Sequence, residues 1–372
     1  MPVERSLPLY DLVGNDYQLG FQHGYQTKKQ IRSFLDDNIL RINSIGNKPR
    51  SLEELVAASA RYKEAIVNAL PDIESELHGL ADGADICFDE ALLLQLRREL
   101  VGYSGFSGFG DCSTFCRVNH KEATLAQTID LNGNIESETY ILRVLPADIN
   151  RPKILLFTYT GLLGYLGLNS NGVLVGINLV LGGNWKPGIP VYMAVRHLLS
   201  NGENAEHCIE LLRSLDLASS RALTICDSNE AYCVEIINNK HRIFRSPEMA
   251  HTNHFLDSEF SRLDEMNIFA SNGSKRRLDF LQKRLSKIEP GAEVDDYLSL
   301  LSLPPLCIPP DGNIRQECTV ARVIMRLGDF SMHVLHGALS STKTVYCLDR
   351  NRLFNEVSGL NTASSICGTE AK

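Results

Sequence analysis

The first candidate catalytic residue is a cysteine that lies where the composition of the sequence changes abruptly. Residues 102–110 contain four glycines, and Cys112 follows them at the start of a β-rich half of the chain. A flexible loop that leads into a rigid strand can present a thiol as a nucleophile. Cleavage between Asp111 and Cys112 would free an α-amino group, whose unperturbed pKa of about 8 suits a general base for the adjacent thiol. The alternative interpretation is a buried structural thiol, because a lone cysteine is a weak signal.

A zinc site is a second, weaker interpretation of the same region. Cys112 and Cys116 together with His251 and His254 supply the ligand types that zinc prefers. Both pairs lie on predicted strands, whereas structural zinc sites more often use two cysteines separated by two residues. We therefore expect no bound metal. The charged run Lys275-Arg276-Arg277 is predicted to be solvated on the first turn of a helix.

The elements that must position these residues differ between the two halves of the chain. Hydrophobic periodicity predicts a helical first part, in which Gly20 and Gly24 indicate close packing of one helix against a neighbour. The predicted helices cover residues 16–43, 51–69, 71–83 and 88–100. After Cys112, short alternating runs predict strands, interrupted by helices at 191–200, 203–215 and 274–301. Turn pairs at 171–172 and 238–239 indicate hairpins and therefore mostly antiparallel pairing.

Composition limits the possible functions. The 372 residues carry 37 Lys and Arg against 45 Asp and Glu, a net charge of −8, which gives no general attraction to nucleic acid or to an anionic membrane. No run approaches the ~18 apolar residues of a transmembrane helix, and the N-terminus lacks the apolar stretch of a secretory signal. We expect a cytoplasmic protein whose ten scattered cysteines are mostly buried thiols.

Six short segments, in order along nearly the whole chain, carry a family resemblance. They are residues 17–24, 76–84, Asp111-Cys112-Ser113-Thr114, Ala126-Gln127-Thr128-Ile129-Asp130, residues 167–172 and His251-Thr252-Asn253-His254-Phe255. With them the chain resembles the acyl-coenzyme A:6-aminopenicillanic acid acyltransferase-like proteins, the peptidase C45 type of N-terminal nucleophile hydrolases. Three positions depart from the family pattern: Asp111 replaces a frequent glycine, and Thr128 and Ile129 replace asparagine and tryptophan. The identity of the substrate therefore does not transfer.

The resemblance implies an α+β fold, the four-layer αββα sandwich of N-terminal nucleophile hydrolases, preceded by a helical propeptide segment. Residues 1–111 would form this propeptide or α subunit, and residues 112–372 the catalytic β subunit. The two fragments are expected to stay associated after cleavage, because a leucine-rich helical segment would otherwise expose a large apolar surface.

The resemblance also implies roles for individual residues. Cys112 would be the nucleophile, released by self-cleavage after Asp111. Asp130 would accept a hydrogen bond from the freed ammonium group, and the Asn253 amide would bind the oxyanion of the tetrahedral intermediate. Arg322 is the nearest match to an arginine that the family carries on a late strand. Ser113 and Thr114 would support processing.

The predicted function is a self-processing cysteine amidohydrolase or acyltransferase that acts on a small N-acyl amide through an acyl-cysteine. An acyl-coenzyme A-dependent N-acyltransferase is the alternative within the enzyme class, with the thioester as substrate and no cofactor. From other classes, a catalytically silent binding protein on the same fold and a metal-binding scaffold stay open. Neither the acyl group nor the oligomeric state follows from the sequence.

Overall fold

The computed structural model describes residues 6–102, 112–119 and 122–349. The strands are β1 (Leu9–Gly14), β2 (Ser113–Asn119), β3 (Glu122–Leu131), β4 (Thr139–Pro146), β5 (Ile154–Tyr159), β6 (Leu166–Asn169), β7 (Leu174–Leu179), β8 (Arg221–Cys226), β9 (Ala231–Ile237), β10 (Lys240–Arg245), β11 (Glu248–His251), β12 (Cys318–Arg326), β13 (Ser331–His336) and β14 (Lys343–Cys347). The helices are α1 (Asp16–Asp36), α2 (Ile42–Ile45), α3 (Leu52–Ala60), α4 (Lys63–Ala69), α5 (Pro71–Ala84), α6 (Phe88–Gln95), α7 (Arg97–Val101), α8 (Val191–Asn201), α9 (Ala205–Arg213), α10 (Ile268–Leu285) and α11 (Val294–Leu301).

These strands form two sheets. One has eight strands in the order β1-β4-β5-β6-β7-β8-β9-β10, and the other has six in the order β11-β2-β3-β12-β13-β14. Neighbouring strands are antiparallel except β1 and β4, which are parallel. The predicted hairpin turns are present: Gly172 has a φ of 90°, and Asn238 and Asn239 have φ values of 51° and 58°. Positive φ at such positions is what tight hairpin connections require.

The two sheets lie face to face between helices. Gln127 of β3 joins them, since its Nε2 donates to the Ile177 carbonyl of β7 at 2.7 Å and its Oε1 accepts from the Ile177 amide at 3.0 Å. Helices α8 and α9 pack against strands β6 to β8, while α10 and α11 pack against β11, β12 and β3. The α+β class and the four-layer sandwich predicted from the sequence are confirmed.

Helices α1 and α5 are in backbone-to-backbone contact at their glycines. A Cβ atom at Gly20 would lie 1.8 Å from the Glu76 carbonyl oxygen, and one at Gly79 would lie 2.0 Å from the Tyr17 carbonyl oxygen. Such distances exclude any side chain, so the two helices pack closely only because both carry glycine here. This confirms the close contact predicted for Gly20 and Gly24.

The first part of the chain is not purely helical, contrary to the prediction. Strand β1 precedes the helices and forms the edge of the eight-stranded sheet, where Arg143 of β4 holds Asp11 through bonds of 2.6 and 3.0 Å. Three predicted helices are also interrupted, at residues 37–41, at residues 61–62 and at Leu96. Residues 6–102 are therefore integrated into the sandwich.

No helix in the described ranges is long and apolar enough to cross a membrane. The predicted processing residue Asp111 and most of the glycine-rich stretch before it, residues 103–110, lie outside the described residues.

Candidate active site

Cys112 immediately precedes β2, a strand inside the six-stranded sheet, and is 6% exposed. The Asp130 amide on the neighbouring strand β3 donates to the Cys112 sulfur at 3.3 Å. The Asp130 carbonyl oxygen lies 3.6 Å from the same sulfur, and the Tyr165 hydroxyl lies 4.0 Å from it. The structure thus brings two of the predicted site residues, Cys112 and Asp130, into contact.

The environment of the thiol favours its neutral form. Burial, reinforced by the negative charge of Asp130, raises the pKa of Cys112 to about 12. The Asp130 amide, the Tyr165 hydroxyl and the charge of Arg277 act in the opposite direction and do not outweigh burial. In the uncleaved chain the thiol is therefore protonated at neutral pH.

Asp130 is connected to the start of β2 through Thr128. The Thr128 hydroxyl donates to Asp130 Oδ2 at 3.2 Å and accepts from the Ser113 amide at 3.0 Å. Thr128 is one of the positions where the sequence departs from the family pattern, and its hydroxyl now links the nucleophile strand to the carboxylate. The Asp130 side chain is 4% exposed, so a charged partner would interact with it strongly.

Asn253 reaches the same place from β11. This strand pairs with β2 so that His251 faces Thr114, and two further residues bring the chain to the level of Cys112. The Asn253 amide nitrogen Nδ2 donates to the Leu179 carbonyl at 2.9 Å, and its backbone N–H donates to Ser274 Oγ at 2.8 Å. Asn253 is buried and lines a cavity that Cys112 also lines.

Arg277 is a cation beside Cys112, and the sequence analysis missed it. Its Nη1 donates to the Cys112 carbonyl at 3.0 Å and to Ser113 Oγ at 3.1 Å, and its Nη2 donates to Asn253 Oδ1 at 3.0 Å. This last bond fixes which end of the Asn253 amide is the donor. Helix α10 begins at Ile268, so Arg277 lies in mid-helix and is 3% exposed, whereas Arg276 is exposed as predicted.

A helical pattern in the sequence contained the signal for Arg277. Ser274, Leu278, Leu281 and Leu285 are spaced three to four residues apart and form the buried face of α10. Arg277 lies on this face, one turn before Leu281. The apolar period, extended back to residue 274, predicts that Arg277 is buried, whereas the charge run alone predicts that it is exposed.

Asn178 on β7 is the second missed residue. Its Nδ2 donates to the Cys112 carbonyl oxygen at 3.1 Å, from the sheet opposite the one that carries the cysteine. The Cys112 carbonyl is therefore held from both sides, by Asn178 and by Arg277. This double anchor fixes the backbone of the candidate nucleophile.

The structure does not bring Arg322 to this cluster. Its guanidinium lies under α11, where Nη1 donates to Ser302 Oγ at 2.5 Å and Nη2 donates to the carbonyls of Gly337 and Ser340 at 2.9 and 2.6 Å. None of these three residues lines the cavity beside Cys112. The arginine predicted on a late strand is thus replaced at the thiol by Arg277 on a helix.

Ser113 and Thr114, the two residues predicted to support processing, differ in where their side chains lie. Ser113 belongs to the cluster through Arg277 and Thr128, whereas Thr114 points between the sheets, towards Gly176.

No group of three or more metal-ligating side chains occurs among the residues with described positions. Of the four suggested zinc ligands, His251 bonds to Glu235 at 2.9 Å.

The cluster opens on a cavity of about 50 Å³. Its walls combine Cys112 with tyrosines, apolar side chains and arginines. They comprise Arg97, Arg98, Cys112, Asp130, Leu131, Asn132, Tyr159, Tyr165, Ile177, Leu179, Tyr192, Arg221, Asn253 and Glu317. A buried thiol, an amide donor and a carboxylate at one enclosed space are the groups that acyl transfer through a covalent intermediate needs.

Comparisons with known proteins agree with this chemistry. The family model for acyl-coenzyme A:6-aminopenicillanic acid acyl-transferase matches residues 118–300. The 40 kDa form of acyl-coenzyme A:6-aminopenicillanic-acid-acyltransferase from Emericella nidulans is 24% identical over 272 residues, which cover 70% of this chain and 73% of the relative.

Among solved structures, penicillin V acylase from Agrobacterium tumefaciens has a similar chain trace. Its sequence identity is 13% and the TM-score is 0.48, and the match covers 64% of this chain and 88% of that one. A variant of conjugated bile acid hydrolase from Clostridium perfringens has 11% identity and a TM-score of 0.49, covering 65% and 93%. These sequence matches agree with the motifs around Cys112: the chain is similar to the acyl-coenzyme A:6-aminopenicillanic acid acyltransferase-like proteins.

Proposed function

We propose that the protein is a self-processing cysteine amidohydrolase or acyltransferase in which Cys112 forms an acyl-thioester with the acyl group of a small N-acyl amide. One observation carries the proposal: Cys112 and Asn253 line one cavity, and Arg277 bonds to both residues. The family's members include acyltransferases, and amide cleavage and transfer share the same first half-reaction.

Maturation is the first step of the proposal. The Cys112 thiol attacks the Asp111 carbonyl carbon, the peptide nitrogen leaves that carbon with a proton, and water then hydrolyses the resulting thioester. The products are a carboxylate at Asp111 and a free α-amino group on Cys112. Residues 1–111 become the α fragment and residues 112–372 the β fragment.

The mature site then uses the new amine as its base. The amine takes the thiol proton, the thiolate attacks the amide carbonyl, and the Asn253 N–H stabilises the oxyanion. Collapse expels the substrate amine with the proton from the Cys112 ammonium group, leaving an acyl-cysteine. Asp130 stabilises the ammonium form, because a buried carboxylate favours a nearby positive charge. Every step uses groups of this chain, so we propose no cofactor.

Coenzyme A is the second candidate acyl donor. The Emericella nidulans relative carries acyl-coenzyme A in its name, and a thioester would acylate Cys112 by the same attack. Water as acceptor gives hydrolysis, and an amine as acceptor gives transfer. We also propose a cytoplasmic location, in keeping with nine described cysteines that are all free thiols.

The test is a panel of N-acyl amides assayed for amine release, with and without acyl-coenzyme A. Wild-type protein should release amine, Cys112→Ala should not, and Cys87→Ser, which changes an exposed thiol, should keep full activity. Product that forms only with acyl-coenzyme A identifies the transferase. A Cys112→Ala protein that retains activity contradicts the proposal, and a wild-type protein that binds amides without turnover favours the silent binding protein.

A further inference from the structure

Arg322 lines a groove between α11 and the edge of the six-stranded sheet. The groove has a volume of about 660 Å³, within the usual range of about 300–1,000 Å³ for small-molecule sites. It shares no lining residue with the cavity beside Cys112. Two leucines contribute apolar surface, and the polar side chains of its walls include Asp295, Ser299, Ser302, Arg322, Ser340 and Lys343.

The strand register places the two cations of this groove on one face of the sheet. Arg322 of β12 lies opposite Leu335 of β13, and Leu335 lies opposite Lys343 of β14. Residues directly opposite each other on neighbouring strands project from the same face, about 5 Å apart. Both cations also contact the α11 region, since Arg322 bonds to Ser302 and Lys343 Nζ lies 2.7 Å from Asp295 Oδ1. One anionic group can therefore lie between the two cations.

Arg322 is a buried cation whose partners are neutral. It is 3% exposed, and in the described structure its guanidinium donates to the Ser302 hydroxyl and to the carbonyls of Gly337 and Ser340. Its Nε has no hydrogen-bond partner among the residues with described positions. Burial lowers the pKa of Arg322, as expected for a cation that has no carboxylate beside it. Because a buried charge is costly unless an opposite charge compensates it, this wall favours an anion in the groove.

The second cation, Lys343, has a partner that can be displaced. Its ion pair with Asp295 lies at the surface, where the two side chains are 34% and 73% exposed. Exposed ion pairs contribute little to stability, so this one opens at small cost. Ser299 and Ser340 add hydroxyl groups to the same walls. Donors of three kinds therefore converge on the groove from a helix, two strands and a loop.

We propose that this groove binds a small organic molecule through a phosphate monoester, which lies between Arg322 and Lys343. A phosphate monoester carries a charge of about −1.5 to −2 at pH 7 and has three acceptor oxygens. These oxygens suit a guanidinium, an ammonium and hydroxyl donors on separate elements, whereas a carboxylate has one charge and two oxygens. The rest of the groove, with its two leucines, accommodates the organic part of the ligand. The proposal is independent of the function proposed for Cys112.

Phenyl phosphate is the probe for this site. Its binding to the purified full-length protein is measured by the broadening of its phosphorus NMR line, with inorganic phosphate and benzoate as competitors. We expect saturable binding that is about fivefold tighter than that of either competitor, which corresponds to about 1 kcal/mol. A competitor that binds as tightly as phenyl phosphate would overturn the assignment of a phosphate monoester.

The exposed ion pair supplies two variants with opposite expected effects. Lys343→Gln should weaken the binding of phenyl phosphate about fivefold, because it removes a cation, and Asp295→Asn should strengthen it about twofold, because it removes a competing carboxylate. Both variants break the same ion pair, so a purely structural pair predicts no difference between them. Lys186→Gln is the matched control, since it breaks an exposed ion pair with Asp216 elsewhere and should leave the affinity unchanged.

Arg322 is tested by two further variants, whose folding is checked by circular dichroism. Arg322→Gln should abolish the binding of phenyl phosphate, and Arg322→Lys, which keeps the charge, should retain part of it. If neither variant folds, the comparison of Lys343→Gln with Asp295→Asn still decides. Broadening that does not saturate, or an affinity that these two variants leave unchanged or change in the same direction, overturns the proposal. Amine release from N-acyl amides, assayed on the same samples, reports on Cys112 separately.

Discussion

At the level of single residues, we expect the protonated Cys112 thiol to limit the rate of the proposed self-cleavage. Burial and Asp130 raise its pKa to about 12, so only a minute fraction is thiolate at neutral pH. Below the pKa this fraction grows about tenfold for each pH unit, because one proton is lost.

We therefore predict that self-cleavage accelerates with pH. The chain would be made by cell-free translation, diluted into buffers between about pH 6 and pH 9, and its cleavage followed by gel electrophoresis over time. A rate that rises steeply over this range agrees with a thiol that must ionise. A rate that is flat or falls would mean that the thiolate already exists in the precursor.

Asn253 should act in the transition state. Its amide donor is oriented by Arg277, so it needs no reorganisation when the oxyanion forms. Asn253→Ala should lower kcat about a hundred- to a thousand-fold with little change in KM, and Asn253→Asp should be worse because a carboxylate repels the oxyanion.

The matched control is Asn272→Ala, an exposed asparagine on α10, which should keep wild-type kinetics. Both Asn253 variants should also mature slowly, since the same donor serves the intermediate of self-cleavage. If Asn253→Ala folds, matures and turns over normally, Asn253 has only a structural role, as a residue that caps a strand end.

Cys112 was predicted from its place after the glycine-rich stretch, whereas Asp130 and Asn253 were predicted from the family resemblance of the short segments that contain them. Arg277 escaped prediction because it lies in a charge run, which concealed its place on the buried face of α10; its partners depend on how α10 packs against β11. For Arg322, the sequence indicated a strand but not the groups around its side chain, which turn out to be Ser302 and two carbonyls. Tertiary packing decides the role of both arginines.

At the level of elements, the contact between α1 and α5 is the least tolerant of change. We predict that Gly79→Ala lowers the free energy of unfolding by about 3 kcal/mol, the upper part of the usual range for overpacking, because the new Cβ would meet backbone. Gly273→Ala on α10 meets nothing within 4 Å and should stabilise the protein by about 0.5–1 kcal/mol.

Urea denaturation of the two variants beside wild type measures the difference. Equal unfolding midpoints for Gly79→Ala and wild type would show that the helices separate without cost. The comparison is matched, since both substitutions add one methyl group to a helix and differ only in the space around it.

The antiparallel strands were predictable because alternation and turn residues are local signals. Strand β1 was not, since its partner β4 follows it by about 130 residues and the pairing is parallel. The sequence between them is mostly helical, which favoured a helical assignment for the whole segment. Helices α3 and α4 were predicted as one helix because their apolar period continues across the break.

At the level of the whole molecule, the two halves of the chain share one core. Strand β1 completes the eight-stranded sheet, and two buried ion pairs cross between the halves: Glu76 with Arg196 at 3.1 Å, and Glu99 with Arg221 at 3.5 Å. Separating the halves would leave these charges without partners in an apolar interior, which is strongly unfavourable.

We predict that the α and β fragments stay together after cleavage. Matured protein should elute from a size-exclusion column as one species that contains both fragments, and the two should separate only in denaturant. A β fragment that elutes alone and remains active would contradict this prediction, and it would also remove Arg97 and Arg98 from the working site.

The most direct measurement of the central claim, that Cys112 acts as an N-terminal nucleophile, is the intact mass of purified active protein beside that of Cys112→Ala. We predict that the active protein consists of two chains, the second beginning at Cys112, and that Cys112→Ala is one uncleaved, inactive chain. Active wild-type protein that stays a single chain of 372 residues would contradict the account.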